Sequence, residues 1–79
     1  MQLKILTPTE EKYYGKVSGF NVTTTTGNIT ILDNHEPMIS MFDRGGAYII
    51  DNENKHHKIE LETGFLEMTS DNKLNVLTE

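Results

Sequence analysis

The sequence predicts an all-β fold: a small antiparallel β-sandwich (a flattened barrel) of about eight to ten short strands with no substantial helix. Three observations lead there. Apolar residues alternate with polar ones, as at Leu3 and Ile5 or Ile59 and Leu61, the period of a strand with one buried face. Turn-forming clusters of Gly, Pro, Asn, Asp and Ser interrupt these runs at intervals of roughly 6 to 12 residues. No stretch sustains the i, i+3, i+4 spacing of an amphipathic helix. The 79 residues form a single domain, 1–79, with a core near the lower size limit for independent stability.

Each element follows from its residues. Leu3 and Ile5 define the first strand, which Thr7-Pro8-Thr9 ends, and Glu10-Glu11-Lys12 is a solvated turn. Tyr13 to Val17 is the second strand. Val17 is out of phase with Phe20 and Val22, so a bulge or tight bend is expected at Ser18-Gly19. The run Thr23 to Thr26 is β-branched and leads into Gly27; it reads as the end of a strand rather than as a phosphoacceptor cluster. Ile29 to Leu32 form the next strand, and Asp33-Asn34-His35-Glu36-Pro37 stops it with turn formers and a proline that cannot donate to a ladder.

Met38 to Phe42 follow at once. Met38, Ile39, Met41 and Phe42 are apolar at positions of both parities, so both faces of that strand need cover. One face takes the core; the other needs either a second internal layer or a partner, and methionine suits an irregular neighbour. Asp43 to Gly46 is expected as a hairpin-type loop, Ala47 to Ile50 as a strand, and Asp51 to Lys55 as a polar turn. Ile59 and Leu61 mark a strand with one wet face, Thr63-Gly64 turns the chain, and Phe65 to Thr69 runs back. Ser70-Asp71-Asn72 turns again into Lys73 to Thr78. Alternation places Leu3, Ile5, Phe20, Val22, Ile31, Ile59, Leu61, Leu66 and Val76 in the core, with Leu32 competing against Ile31 and Phe65 against Leu66.

Composition excludes several function classes. With no cysteine there is no disulfide framework and no thiolate metal site. No run approaches the roughly 20 apolar residues of a membrane span, and no basic, apolar signal segment opens the sequence. A formal net charge of −5 argues against nucleic acid and against direct attachment to anionic lipid. His56 and His57 are adjacent, so in a strand they point to opposite faces, and His35 lies in a distant loop; a metal site is not expected. Glu60 and Glu62 share one face but look solvated, and no nucleophile elbow or phosphate-binding glycine loop is present. No catalytic residue and no cofactor are expected. Asn21-Val22-Thr23 and Asn28-Ile29-Thr30 match the glycosylation acceptor pattern by coincidence. An interaction module remains, the alternative being a free-standing small-molecule-binding β-barrel, for which there are barely enough apolar residues to fill a core.

The stretch Gly27 to Pro37, G-N-I-T-I-L-D-N-H-E-P, is the most specific. With its glycine turn, its I-T-I-L strand and its Asn-His-x-Pro loop, it resembles the N-terminal β-sandwich of the epsilon subunit of F-type ATP synthases. The likeness extends to L-K-I-L-T-P at Leu3 to Pro8, aromatic-Gly-x-Val at Tyr14 to Val17, G-F-L-E-M at Gly64 to Met68 and L-N-V-L at Leu74 to Leu77. Asn28 departs from the pattern, since an acidic residue is common there, as do Asp33 and Glu36 in the loop.

The resemblance implies a non-catalytic subunit of the central stalk. Such a subunit couples rotation of the membrane c-subunit ring through the gamma subunit to ATP synthesis, at the cytoplasmic side of the cell membrane and touching the membrane only through the complex and its other ATP synthase subunits. It implicates Met38, Ile39, Ser40, Met41 and Phe42 in the contact with gamma. It puts Asn28 and His35 at the end facing the c ring, which requires the loop Asp33 to Pro37 to fold back beside the Gly27 turn. Many family members continue into a C-terminal helical hairpin that binds ATP or blocks rotation; these residues contain no such hairpin, so neither property is expected of them.

Overall fold

The fold is described from a computed structural model covering residues 1–79, the side chain of Tyr14 excepted. Nine strands are present: β1 (Gln2–Leu6), β2 (Glu11–Lys16), β3 (Gly19–Thr24), β4 (Gly27–Leu32), β5 (Met38–Phe42), β6 (Gly45–Ile50), β7 (His56–Leu61), β8 (Gly64–Met68) and β9 (Lys73–Thr78). They form a five-stranded sheet in the order β2-β1-β9-β8-β5 and a four-stranded sheet in the order β4-β3-β6-β7. The expected sandwich is therefore present. Every pairing is antiparallel but one: β1 runs parallel to β9, with Leu3 opposite Leu74 and Ile5 opposite Val76.

Four hairpins stay within a sheet: β1/β2, β3/β4, β6/β7 and β8/β9. The other four connections cross between sheets, which corrects two sequence expectations. Asp43-Arg44 and Thr63 do not close hairpins, because β5 and β8 pair with each other and not with β6 or β7. Gly45 and Gly46 belong to β6. At Ser18 the expected tight bend is present and there is no bulge: the chain bends there to leave one sheet and enter the other, and the Ser18 amide donates to the Ile50 carbonyl at 2.9 Å. The register irregularity falls instead at Ile5/Leu6. Of the threonine run, Thr23 and Thr24 end β3, whereas Thr25-Thr26 is the turn into Gly27, whose φ of +130° suits glycine.

Alternate residues of the two sheets fill one dry layer. Leu3, Phe20, Ile31, Leu66, Leu74 and Val76 are fully buried, joined by Ile5, Val22, Phe42, Leu61 and Met68. The competition within pairs resolves clearly: Ile31 is buried and Leu32 exposed, Leu66 buried and Phe65 exposed. Ile59 is the exception to the expected core. It is only partly buried because it lines the open seam between edge strands β2 and β7, with Tyr13 across from it. The buried hydroxyls of Thr24 and Thr78 donate to the carbonyls of Gly27 (2.9 Å) and Glu62 (3.0 Å), so neither polar group is stranded in the interior. A Cβ at Gly64 would run into the Leu77 carbonyl, so the β8–β9 pairing needs a glycine there.

The β6/β7 turn is held by one carboxylate. Asp51 Oδ1 accepts from the amides of Glu53 and Lys55, both at 2.9 Å, and Oδ2 accepts from His57 Nε2 at 2.8 Å. The His57 hydrogen bond, and then that of the Lys55 amide, lowers the Asp51 carboxyl from 3.8 to about 2.

Two outcomes follow from this packing. Leu66→Ala should cost about 2 to 5 kcal/mol in urea denaturation, while Phe65→Ala, one residue away on the wet face, should cost no more than about 1 kcal/mol; the reverse order would contradict the assigned faces. A carboxyl whose folded pKa is depressed stabilises above its unfolded pKa and loses that contribution as pH falls. Asp51→Asn should thus lower the urea midpoint at neutral pH, and the two proteins should converge as pH drops from 3.8 toward about 2. A gap that stays constant over that window would contradict the assignment.

Candidate interaction surfaces

The outer face of the five-stranded sheet carries the main unpartnered apolar surface among the described residues. In β5 the side chains of Met38, Ser40 and Phe42 turn inward, and Phe42 is buried in the core. Ile39 and Met41 point outward and are 73% and 65% exposed. Of the five residues expected to bind gamma, these two are on the surface; the strand is thus one-sided within the domain, and its second apolar face lies open.

Met41 does not stand alone. It is paired with Phe65 in β8, Phe65 with Leu77 in β9, and Leu77 with Leu6 in β1. The four side chains form a row across four strands and share one shallow depression with Thr7, Pro8 and Thr25. The neighbouring row on the same face is polar but for its end: Lys4, Asn75, Glu67 and Ile39. Neither Phe65 nor Leu77 is among the residues that the sequence implicates in a contact. Their signal was the same as that of β5, since Ile5-Leu6, Phe65-Leu66 and Val76-Leu77 are each apolar at both parities, and only one member of each pair fits in the core.

Asn28 lies within β4, opposite Thr23, because the chain is already extended after Gly27. Its Nδ2 donates to Asn21 Oδ1 and Thr23 Oγ1 (both 3.1 Å), its Oδ1 accepts from Asn21 Nδ2 (2.9 Å), and Asn21 Nδ2 also reaches Thr30 Oγ1 (2.8 Å). This amide–hydroxyl network covers the outer face of the four-stranded sheet near the Gly27 turn. The same end holds the β5 terminus, where the Thr25 amide donates to the Met41 carbonyl at 3.0 Å.

His35 is at the opposite end. The loop Asp33 to Pro37 does not fold back beside Gly27, so Asn28 and His35 are not brought together; the strand from Asn28 to Leu32 alone spans about 13 Å. The loop is held where it leaves β4. The His35 amide donates to the Leu32 carbonyl at 3.1 Å, and His35 Nδ1 donates to the Glu36 carbonyl at 2.8 Å. The Asn34 amide donates to Asn72 Oδ1 at 2.7 Å. Asp33 accepts from the α-ammonium of Met1 and from Asn72 Nδ2 (3.4 Å), and the ammonium contact holds the Asp33 carboxyl below its ordinary value. In the adjoining turn, the Thr69 hydroxyl donates to Asp71 and lowers that carboxyl as well.

His56 and His57 are on opposite faces of β7, as adjacent strand residues must be, and no group of three ligating side chains gathers among the described residues. No helix of the described chain is long and apolar enough to cross a membrane.

Comparison with known proteins gives these surfaces a context. Residues 1–79 match the family described as ATP synthase, Delta/Epsilon chain, beta-sandwich domain. The ATP synthase epsilon chain of Clostridium kluyveri is 34% identical over 79 residues, covering 100% of this chain and 59% of that protein. The corresponding chain of Caldanaerobacter subterraneus is 35% identical over 69 residues, covering 87% of this chain and 50% of that protein. This chain thus spans between half and three-fifths of the length of these relatives. Among solved structures, the Euglena gracilis mitochondrial ATP synthase (OSCP/F1/c-ring in rotational state 1) contains a chain with TM-score 0.89 and 17% identity, covering 96% of this chain and 48% of that one. The Tetrahymena thermophila mitochondrial ATP synthase (central stalk/c-ring) contains one with TM-score 0.81 and 15% identity, covering 98% and 61%. These two likenesses establish the fold.

Proposed function

Because the chain belongs to the family of the ATP synthase delta/epsilon β-sandwich domain, we propose that it is a non-catalytic part of the central stalk of a proton-translocating F-type ATP synthase. In this reading it couples rotation of the c-subunit ring, through the gamma subunit, to ATP synthesis. The observation that carries the reading is the open apolar row Leu6, Leu77, Phe65 and Met41, flanked by Ile39. Exposed apolar surface loses free energy to water at about 25 cal/mol per Å², and a contiguous patch of it marks an interaction site. Gamma is the occupant we assign. A row spread over four strands of one sheet suits the task, because a load applied across it is shared by the hydrogen-bonded ladder rather than by one flexible loop.

Coupling needs a second surface for the ring. Since Asn28 and His35 are at opposite ends, one end alone can face it. His35 leads through Pro37 directly into β5, the strand assigned to gamma. We therefore keep the ring-facing role for Asn28 and assign His35 to the gamma side. Asn28, its amide held in the network with Asn21 and Thr23, gives the ring an uncharged polar face, a contact less sensitive to salt than an acidic one. The net charge of −5 disfavours anionic lipid, so attachment to the membrane runs through the complex, at the cytoplasmic side that the family reading implies.

Ile39→Asp and Met41→Asp, once shown to fold by their unchanged β-sheet circular dichroism, should each weaken gamma binding by about tenfold or more. Leu32→Asp, on the exposed face of the other sheet, should bind as the parent does; equal losses in all three, or full binding by Met41→Asp, would overturn the assignment. In the assembled enzyme, cysteine at position 28 should cross-link to the polar loop of the c subunit and cysteine at position 35 to gamma, and the opposite pattern would reverse the ends.

A further inference from the structure

We infer that Asn72 is a positioning residue: its side chain clamps the turn after β4 and so fixes the loop that delivers β5 to its partner. The inference rests on the reading of β5 as a gamma-binding strand and adds to it a residue remote from that strand in sequence.

The geometry is specific. Asn34 and Asn72 both adopt the left-handed conformation, with φ of +62° and +63°, which asparagine tolerates better than other non-glycine residues. These two turns belong to different sheets, one leaving β4 and the other joining β8 to β9. The Asn72 carboxamide spans the gap: Oδ1 accepts from the Asn34 amide at 2.7 Å, and Nδ2 donates to Asp33 at 3.4 Å. Its backbone is anchored in turn, since the Asn72 carbonyl accepts from the Gln2 amide at 3.1 Å. One side chain thus uses both its donor and its acceptor to bind two consecutive residues of the opposing turn, from a base fixed to the centre of the five-stranded sheet.

The consequence falls on the loop. Asp33 to Pro37 is the crossing between sheets that sets where Met38 enters β5. From Asp33 onward the chain has no ladder partner until Met38 pairs with Met68. Apart from the bonds to Asn72, the hydrogen bonds described along this segment are local ones, His35 to Leu32 and His35 to Glu36. Asn72 is therefore the one described long-range side-chain tether of the loop besides the contact of Asp33 with the Met1 ammonium. The third left-handed asparagine, Asn54 (φ +64°), instead closes the β6/β7 turn through its backbone amide to Asp51.

That contrast supplies the test. Asn72→Gly keeps a residue at ease with positive φ and removes only the clamp; Asn54→Gly is the matched control. In the chain alone, hydrogen exchange of the Asn34 amide, followed by NMR, should quicken by up to about tenfold in Asn72→Gly, the worth of one lost hydrogen bond. It should not change in Asn54→Gly, and core amides should be unaffected in both. Affinity for the gamma subunit should fall several-fold in Asn72→Gly alone. An Asn34 amide that exchanges no faster overturns the clamp whether or not gamma binds. Faster exchange with undiminished gamma affinity overturns the loop's part in docking while leaving the sandwich face as the site. Loss of both, confined to Asn72→Gly, is the result the geometry requires.

Discussion

Two small sheets packed face to face enclose one dry layer, and that single layer governs the rest of the structure. Each strand contributes alternate residues to it, so a strand with apolar side chains at both parities satisfies only half of them inside the domain. In β1, β5, β8 and β9 the inward members are Ile5, Phe42, Leu66 and Val76, all buried. Their outward neighbours Leu6, Met41, Phe65 and Leu77 are brought into one row by the strand register. The surface that the domain cannot cover is thus a direct product of the pairing that builds its core. The parallel β1–β9 pair matters here, because it continues the row past the β8–β9 hairpin to Leu6.

The four-stranded sheet is built differently. Its outer face bears Asn21, Thr23, Asn28 and Thr30, whose amides and hydroxyls bond one another, and such a face is at ease in water. The two sheets therefore differ: the five-stranded one presents the apolar row, while the four-stranded one, besides exposed Leu32 and Tyr48, carries a hydrogen-bonded polar ladder near the Gly27 turn. Side-chain hydrogen bonds at the far end tie the β4 exit to the β8/β9 turn, so the loop leading into β5 is held from the sheet it is about to join.

Much of this could be read from the residues. Alternation marks the strands and eight of nine core positions, and the apolar residues on both faces of β5 already point to Ile39 and Met41. What escaped it has physical causes. Strand periodicity says which way a side chain points but not which sheet the strand joins, so crossings at Asp43-Arg44 and Thr63 looked like hairpins. Ile59 has the pattern of a core residue, yet its strand lies at an open edge. The separation of Asn28 from His35 depends on where a five-residue loop (Asp33 to Pro37) is fastened, and its fastener, Asn72, is 38 positions away from Asn34. The resemblance of the Gly27 to Pro37 stretch points to the family that the whole chain proves to match.

The central claim, that the open row of the five-stranded sheet is where gamma docks, is tested most directly by the methionines themselves. Met41 faces outward in that row, whereas Met68 is buried in the core. In methyl-labelled protein titrated with gamma, the Met41 methyl resonance should shift or broaden while that of Met68 stays in place. Complex formation that leaves the Met41 methyl untouched would contradict the account.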